Sequence, residues 1–337
     1  MIQKTFSPSV NPVLGFIAAV CLLSACQQTI KNSHVKIEDE VVDSSGTNPV
    51  LSPSVTAKGN SNLQVREEAD VLGYWVGDFR NAEEDFETYA SKIVAMDEGL
   101  TWDRANKINI SIDKLEHGQV YGHSVVAGNF RPFEGTYQLD GETYVFEAKE
   151  PGDDRHDGTF KFSIAIGDTL LSGTWKAFRK IDIRERAYDL QKKVYVYNPD
   201  QMLVVSHRFA DWDRFRKVNY ENLNEEEKEV FGDFYLEFES ATDLIFKINA
   251  SNTLLTKQDV ENLKRGDLYI IRNTIYARHG YSFRNRPLRV FFDREPWYIP
   301  VHNDIKKDLT DMEKENIKLL MKYEKNAKTY YDTFGRG

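Results

Sequence analysis

The stretch TFKFSIAI at residues 159–166 sends Phe160, Phe162, Ile164 and Ile166 to one side of an extended chain, and Lys161, Ser163 and Ala165 to the other. That period of two belongs to a strand with one face in a core and one in water. The pattern recurs upstream. KINISID at 107–113 aligns Ile108, Ile110 and Ile112, and TYVFEA at 143–148 aligns Tyr144 with Phe146. Asp140-Gly141, Asp157-Gly158 and Gly167-Asp168 supply tight turns between such runs. No segment of helical length interrupts residues 107–178, which leaves no room for the crossovers of a parallel sheet. The expectation over residues 66–180 is an antiparallel β meander, closed as a barrel or folded as a sandwich.

Two phrases bracket this module, Gly73-Tyr74-Trp75-Val76-Gly77 and Gly173-Thr174-Trp175. A Gly-x-Trp on a first strand is similar to the opening signature of lipocalin-like barrels. A core tryptophan beside a glycine that lets strands approach closely accounts for it equally well. Residues 181–245 read as a connector. Within it, KKVYVYN at 192–198 suits one more strand, and Asn224 followed by a run of glutamates suits a helix start that Gly232 would end.

From residue 246 to 337 the period changes to helical, so the fold class expected is α+β with a small all-α C-terminal domain. Leu268, Ile271 and Ile275 share one helix face, and Gly280 supplies a left-handed stop. Pro287 suits the first turn of a helix carrying Leu288, Phe291 and Phe292. Thr256-Lys-Gln-Asp259 and Thr310-Asp-Met-Glu313 have capping-box spacing. This segment carries 18 Lys+Arg against 12 Asp+Glu, whereas the whole chain stands at −9. A basic module thus follows an acidic one, which suggests separate partners or mutual attraction.

The N-terminus speaks to compartment. Lys4 precedes an apolar run at 13–25, VLGFIAAVCLLSA, which is shorter than the ~20 residues a spanning helix needs and reads as a signal peptide over 1–25. Leu23-Ser24-Ala25-Cys26 resembles the lipobox of bacterial lipoproteins. The resemblance implies cleavage before Cys26, acylation of its thiol and amino group, and palmitate-type anchoring. Several acyl chains at ~0.8 kcal/mol per buried methylene hold a domain firmly on a membrane. Cys21 leaves with the signal, so no disulfide or thiolate metal site is expected. Gln27 in place of aspartate leans toward the outer membrane of a Gram-negative cell. Residues 26–65, polar and rich in Ser, Asn and Thr, read as a lipidated tether.

The stretch RNTIYARHGYSFRNRPLRVFFDREPWY at 272–298, with LTDMEKENIKLL downstream, looks like the YARHG domain, over roughly 254–325. The pentapeptide is Tyr276-Ala277-Arg278-His279-Gly280. The resemblance implies an extracytoplasmic setting and association with the cell envelope. Arg272, Tyr276, Arg278, His279, Arg284, Arg286 and Trp297 are the candidate binding residues. Guanidinium groups fork onto carboxylate or phosphate, and tyrosine rings lie along sugars. The competing reading is structural: arginines stacked on aromatic rings and paired with Asp267, Asp293 or Glu295 complete a small core.

Ser282, His279 and Asp293 are the residue types of a triad, but no nucleophile elbow presents the serine. No catalytic residue is therefore assigned, and no His-x-x-x-His or His-Glu-x-x-His pattern supports a metal. The acidic run Asp153, Asp154 and Asp157 is explained by a turn better than by calcium. His123, Ser124 and Glu134 have no spacing that unites them. No cofactor and no nucleic-acid partner are expected. The favoured role is a lipid-anchored envelope binding or scaffold protein, whose basic module contacts an anionic polymer or a protein. The alternatives are an envelope hydrolase with the β module catalytic, a lipocalin-like carrier of a small apolar ligand, and two purely structural modules docked on each other.

Overall fold

The computed structural model describes residues 70–83, 105–204, 208–220, 224, 227–228 and 234–327; the expected signal peptide, Cys26 and tether lie outside them. Eight strands follow in order: β1 (Gly73–Asn81), β2 (Asn106–Glu116), β3 (Gln119–Val126), β4 (Asn129–Asp140), β5 (Thr143–Lys149), β6 (Gly158–Ala165), β7 (Leu170–Ala177) and β8 (Glu185–Lys193). Each pairs antiparallel with the next, and β8 returns to β1 with Leu190 opposite Gly77. The sheet is a closed barrel, not a sandwich. Closure removes both exposed edges.

The barrel runs past the boundary at 180 expected from sequence. The closing strand β8 sends only Tyr188 and Leu190 fully inward among charged neighbours, too few apolar residues to announce itself. Gly77 sits where β1 meets β8, and a Cβ there would lie 2.5 Å from the Asp189 carbonyl oxygen.

The alternation seen in the sequence is the inside-outside alternation of the barrel. Ile108, Ile110, Ile112, Tyr144, Phe146, Phe160, Phe162 and Ile164 are all buried in one cluster. Phe146 and Phe162 stack with centroids 4.6 Å apart, and Phe79 meets Trp175 edge-on at 5.6 Å. Trp75 of the opening phrase is fully buried and donates Nε1–H to the Val71 carbonyl at 2.9 Å. Each such ring stabilises by roughly 1.5–3 kcal/mol through removal from water.

The C-terminal part has its own core. A hairpin of β9 (Ala210–Asn219) and β10 (Phe234–Ser240) precedes four helices among the described residues: α1 (Lys257–Val260), α2 (Arg265–Arg278), α3 (Arg286–Asp293) and α4 (Asp311–Asn326). The hairpin lies where sequence suggested a connector. Asn224 Oδ1 accepts the Glu227 N–H at 2.9 Å, as the expected N-cap would, and the Asn224 N–H bonds to Glu227 at 3.0 Å; Gly232 lies outside the described residues.

Leu268, Ile271 and Ile275 face the core as read. Gly280 (φ +65°) ends α2: its N–H bonds to the Ala277 carbonyl at 2.9 Å, and the Tyr281 N–H to that of Tyr276 at 3.0 Å. That pair of bonds is a Schellman stop. Asn285 caps α3 through the Leu288 N–H, and Thr310 with Glu313 forms the capping box of α4.

The two parts pack against each other. The Lys107 backbone N–H on β2 bonds to Asp293, and its buried ammonium reaches the carbonyls of Glu295 (3.2 Å) and Tyr298 (3.3 Å). Asn109 Nδ2 donates to the Pro300 carbonyl at 3.0 Å. Val76 of β1 shares a small apolar cluster with Ile299 and Val301. Gly128, in the β3–β4 turn, donates its N–H to Ser282 Oγ at 2.9 Å.

Candidate functional site

Between barrel and helical part, residues 194–204 form neither helix nor strand, and turn at Pro199-Asp200. Tyr195 and Tyr197 turn inward while Val194 and Val196 stay 82% and 73% exposed. This strap is held by the YARHG pentapeptide itself. Tyr195 donates its hydroxyl to the Arg278 carbonyl at 3.1 Å. Arg278 is buried and donates Nε–H to the Gln201 carbonyl (2.7 Å) and an Nη1–H to Ser251 Oγ (3.1 Å). Tyr197 lies flat on the His279 ring, centroids 4.2 Å apart.

His279 Nε2 is 2.8 Å from Glu313 Oε2, and the Tyr197 hydroxyl donates to Glu313 Oε1 at 3.0 Å. Burial alone would raise the Glu313 carboxyl. The bonds from His279, the Thr310 backbone and Ser251 reverse this and hold it at about 2. Burial pushes the Arg278 guanidinium down to about 10, opposed by nearby Tyr197, Glu313 and Asp200.

The remaining candidates divide. Arg272 is half-buried, forks onto Glu324 at 2.9 and 3.2 Å, and lies over the rings of Tyr269 and Tyr276. Stacking on aromatics agrees with the structural reading; the carboxylate partner, Glu324, is not one of the three that reading named. Trp297 is half-buried and donates Nε1–H to Glu295 at 2.8 Å. Arg284 and Arg286 are exposed. The triad types do not converge: Ser282 accepts from Gly128, His279 faces Glu313 and Asp293 accepts from Lys107. Burial lifts the Asp293 carboxyl to about 6 against the opposing pull of Lys107.

In the barrel, Asp157 accepts the backbone N–H groups of Gly152 (2.9 Å) and Asp154 (3.1 Å) and pairs with Arg131, which makes it the anchor of a turn. His123 pairs with Asp113 at 2.7 Å, Ser124 turns to Glu150, and Glu134 is elsewhere on β4. Burial raises Glu150 to about 7, despite bonds from Trp175 Nε1 and the Gly158 N–H.

Tyr276 and Arg284 do meet, in a cleft of about 490 Å³ on the helical part. Phe283, Leu288, Ile305 and Leu309 form its apolar lining, with Tyr281 beside Tyr276. Arg284 and Lys306 supply positive charge, Asp304 negative charge, and Asn273, Asn285 and Asn303 amides. Arg284 is fixed by its Nε–H to the Gly128 carbonyl at 3.3 Å. Lys306 is 88% exposed, with Asp304 4.0 Å away. Sequence reasoning missed Lys306 because nothing local marks a lysine in a loop; the fold alone brings residues 303–309 against Tyr276.

This architecture defines the chain as an α+β protein in which a closed eight-stranded antiparallel barrel carries a small helical module. Residues 244–325 match the YARHG domain, so the helical module is a YARHG domain. Comparison with curated proteins and with solved structures finds no match.

Proposed function

We propose that this chain is an exported envelope protein, lipid-anchored through Cys26 on an outer membrane, that acts by binding and scaffolding. The barrel is the rigid platform. The YARHG domain presents the contact surface for an anionic polymer or a protein partner. Supporting the anchor is the lipobox-like Leu23–Cys26 sequence after an apolar run. The observation that carries the binding role is the cleft joining Arg284 and Lys306 to an apolar, tyrosine-lined floor. Ligand sites combine apolar walls with a few placed polar groups in this way. Arg286, exposed beside Arg284 in sequence, extends the positive surface.

Retention of the full chain on purified envelope fractions at low and high salt tests this reading. Retention is expected to fall with salt and with Lys306→Ala, since exposed charge pairs are screened beyond ~10 Å at moderate ionic strength. Equal retention at both salts removes the electrostatic contact. Mass spectrometry of the mature N-terminus is expected to find acylated Cys26; a free thiol there removes the anchor.

A further inference from the structure

We propose that the cleft beside Tyr276 binds the carboxyl-terminal end of a peptide whose last side chain is apolar. The inference rests on the reading of this cleft as the contact site and narrows its ligand.

Four features select that chemistry. The floor of Phe283, Leu288, Ile305 and Leu309 offers no hydrogen-bond partner. An apolar side chain seated there gains from burial. The cavity volume of about 490 Å³ suits a terminal residue and the peptide unit before it.

The charge is also matched to a single anion. Among the described residues, the terminal nitrogens of Arg284 have no hydrogen-bond partner, while Nε–H on Gly128 fixes the fork. Lys306 belongs to the same lining. Asp304 lies beside Lys306, and Asp153 and Asp154 line an adjoining hollow that shares Arg284 and Asn303. One carboxylate matches these two cations; a longer run of negative charge meets Asp304 and Asp153, while Asp154 is paired with Arg131 of the same hollow. Lastly, Asn285 uses its Oδ1 on the Leu288 N–H, and among the described residues its NH₂ has no partner, which leaves a donor for a peptide carbonyl.

The experiment is calorimetric titration of the full chain with acetylated tripeptides ending in Leu, Ile, Val or Phe. Each is used as free acid and as terminal amide, with polygalacturonate as a polyanion probe. At least one acid form is expected to bind saturably, its amide about tenfold more weakly, as for loss of a charge-assisted hydrogen bond. Lys306→Gln is expected to weaken the acid about fivefold and leave the amide unchanged, and Leu309→Ser to weaken both; circular dichroism checks folding of each variant. Equal binding of acid and amide, absence of saturable binding by every acid form, or polygalacturonate binding with Lys306 dependence where the peptides fail would each overturn the proposal. If the peptides fail while envelope retention stays sensitive to salt and Lys306, the narrower inference falls and the broader reading stands; if retention fails too, both fall.

Discussion

At the scale of single residues, Glu313 holds the signature together. It caps α4 and accepts from both His279 and Tyr197 while fully buried. Its carboxyl lies at about 2 against an ordinary 4.5, so its contribution to stability is in place above 4.5 and is lost as pH falls toward 2. Glu150 has the opposite sign. Raised from 4.5 to about 7, it favours the folded state below 4.5 and loses that contribution as pH rises through 7. In urea titrations across pH, Glu313→Gln is expected to flatten the acid limb, and Glu150→Gln the limb between those two values. Glu313→Ala is expected to cost about 3 kcal/mol or more, as when one partner of a buried pair is removed. The cap of α4 was legible from Thr310 and Glu313, because capping is local. The partnership with His279 spans 34 residues and exists only once α4 packs on α2, so no spacing rule reveals it.

At the scale of elements, the strap at 194–204 shows how one pattern serves two structures. The alternating valines and tyrosines of KKVYVYN read as a strand. The chain is a strand only as far as Lys193; beyond it the chain leaves the barrel and its tyrosines face Arg278 and His279 instead of a sheet neighbour. Period two fixes which side chains share a side, not what they meet. The turn at Gly128 is a second element of the joint. Its φ is +77°, and a Cβ there would lie 2.1 Å from Arg284 Cγ. Gly128→Ala is expected to lower stability by about 1–2 kcal/mol, from the left-handed backbone and the displaced arginine together, measured as a shift in denaturant midpoint.

At the scale of the whole molecule, the barrel was legible as antiparallel β from its alternation and turns. Closure was not, because it depends on β8, whose inward residues are few, and on the close approach at Gly77. The helical module was legible because caps, stop and apolar faces all agreed locally. The contest between a binding face and a structural core could not be read from composition: Arg278 and His279 are spent on the strap, Arg272 on Glu324, and Arg284 on both Gly128 and the cleft. Barrel and YARHG domain are joined through Lys107, the strap and the pentapeptide, and are expected to unfold as one cooperative body.

Removal of residues 246–337 is therefore expected to lower the thermal midpoint of the barrel strongly. The most direct measurement is hydrogen exchange of β1 and β2 amides in the full chain with and without Tyr197→Ala, a change that loosens the strap's grip on His279 and Glu313. Faster exchange is expected in β1 and β2 together with α2; acceleration confined to α2 and α4, with the barrel strands unchanged, would contradict the joint.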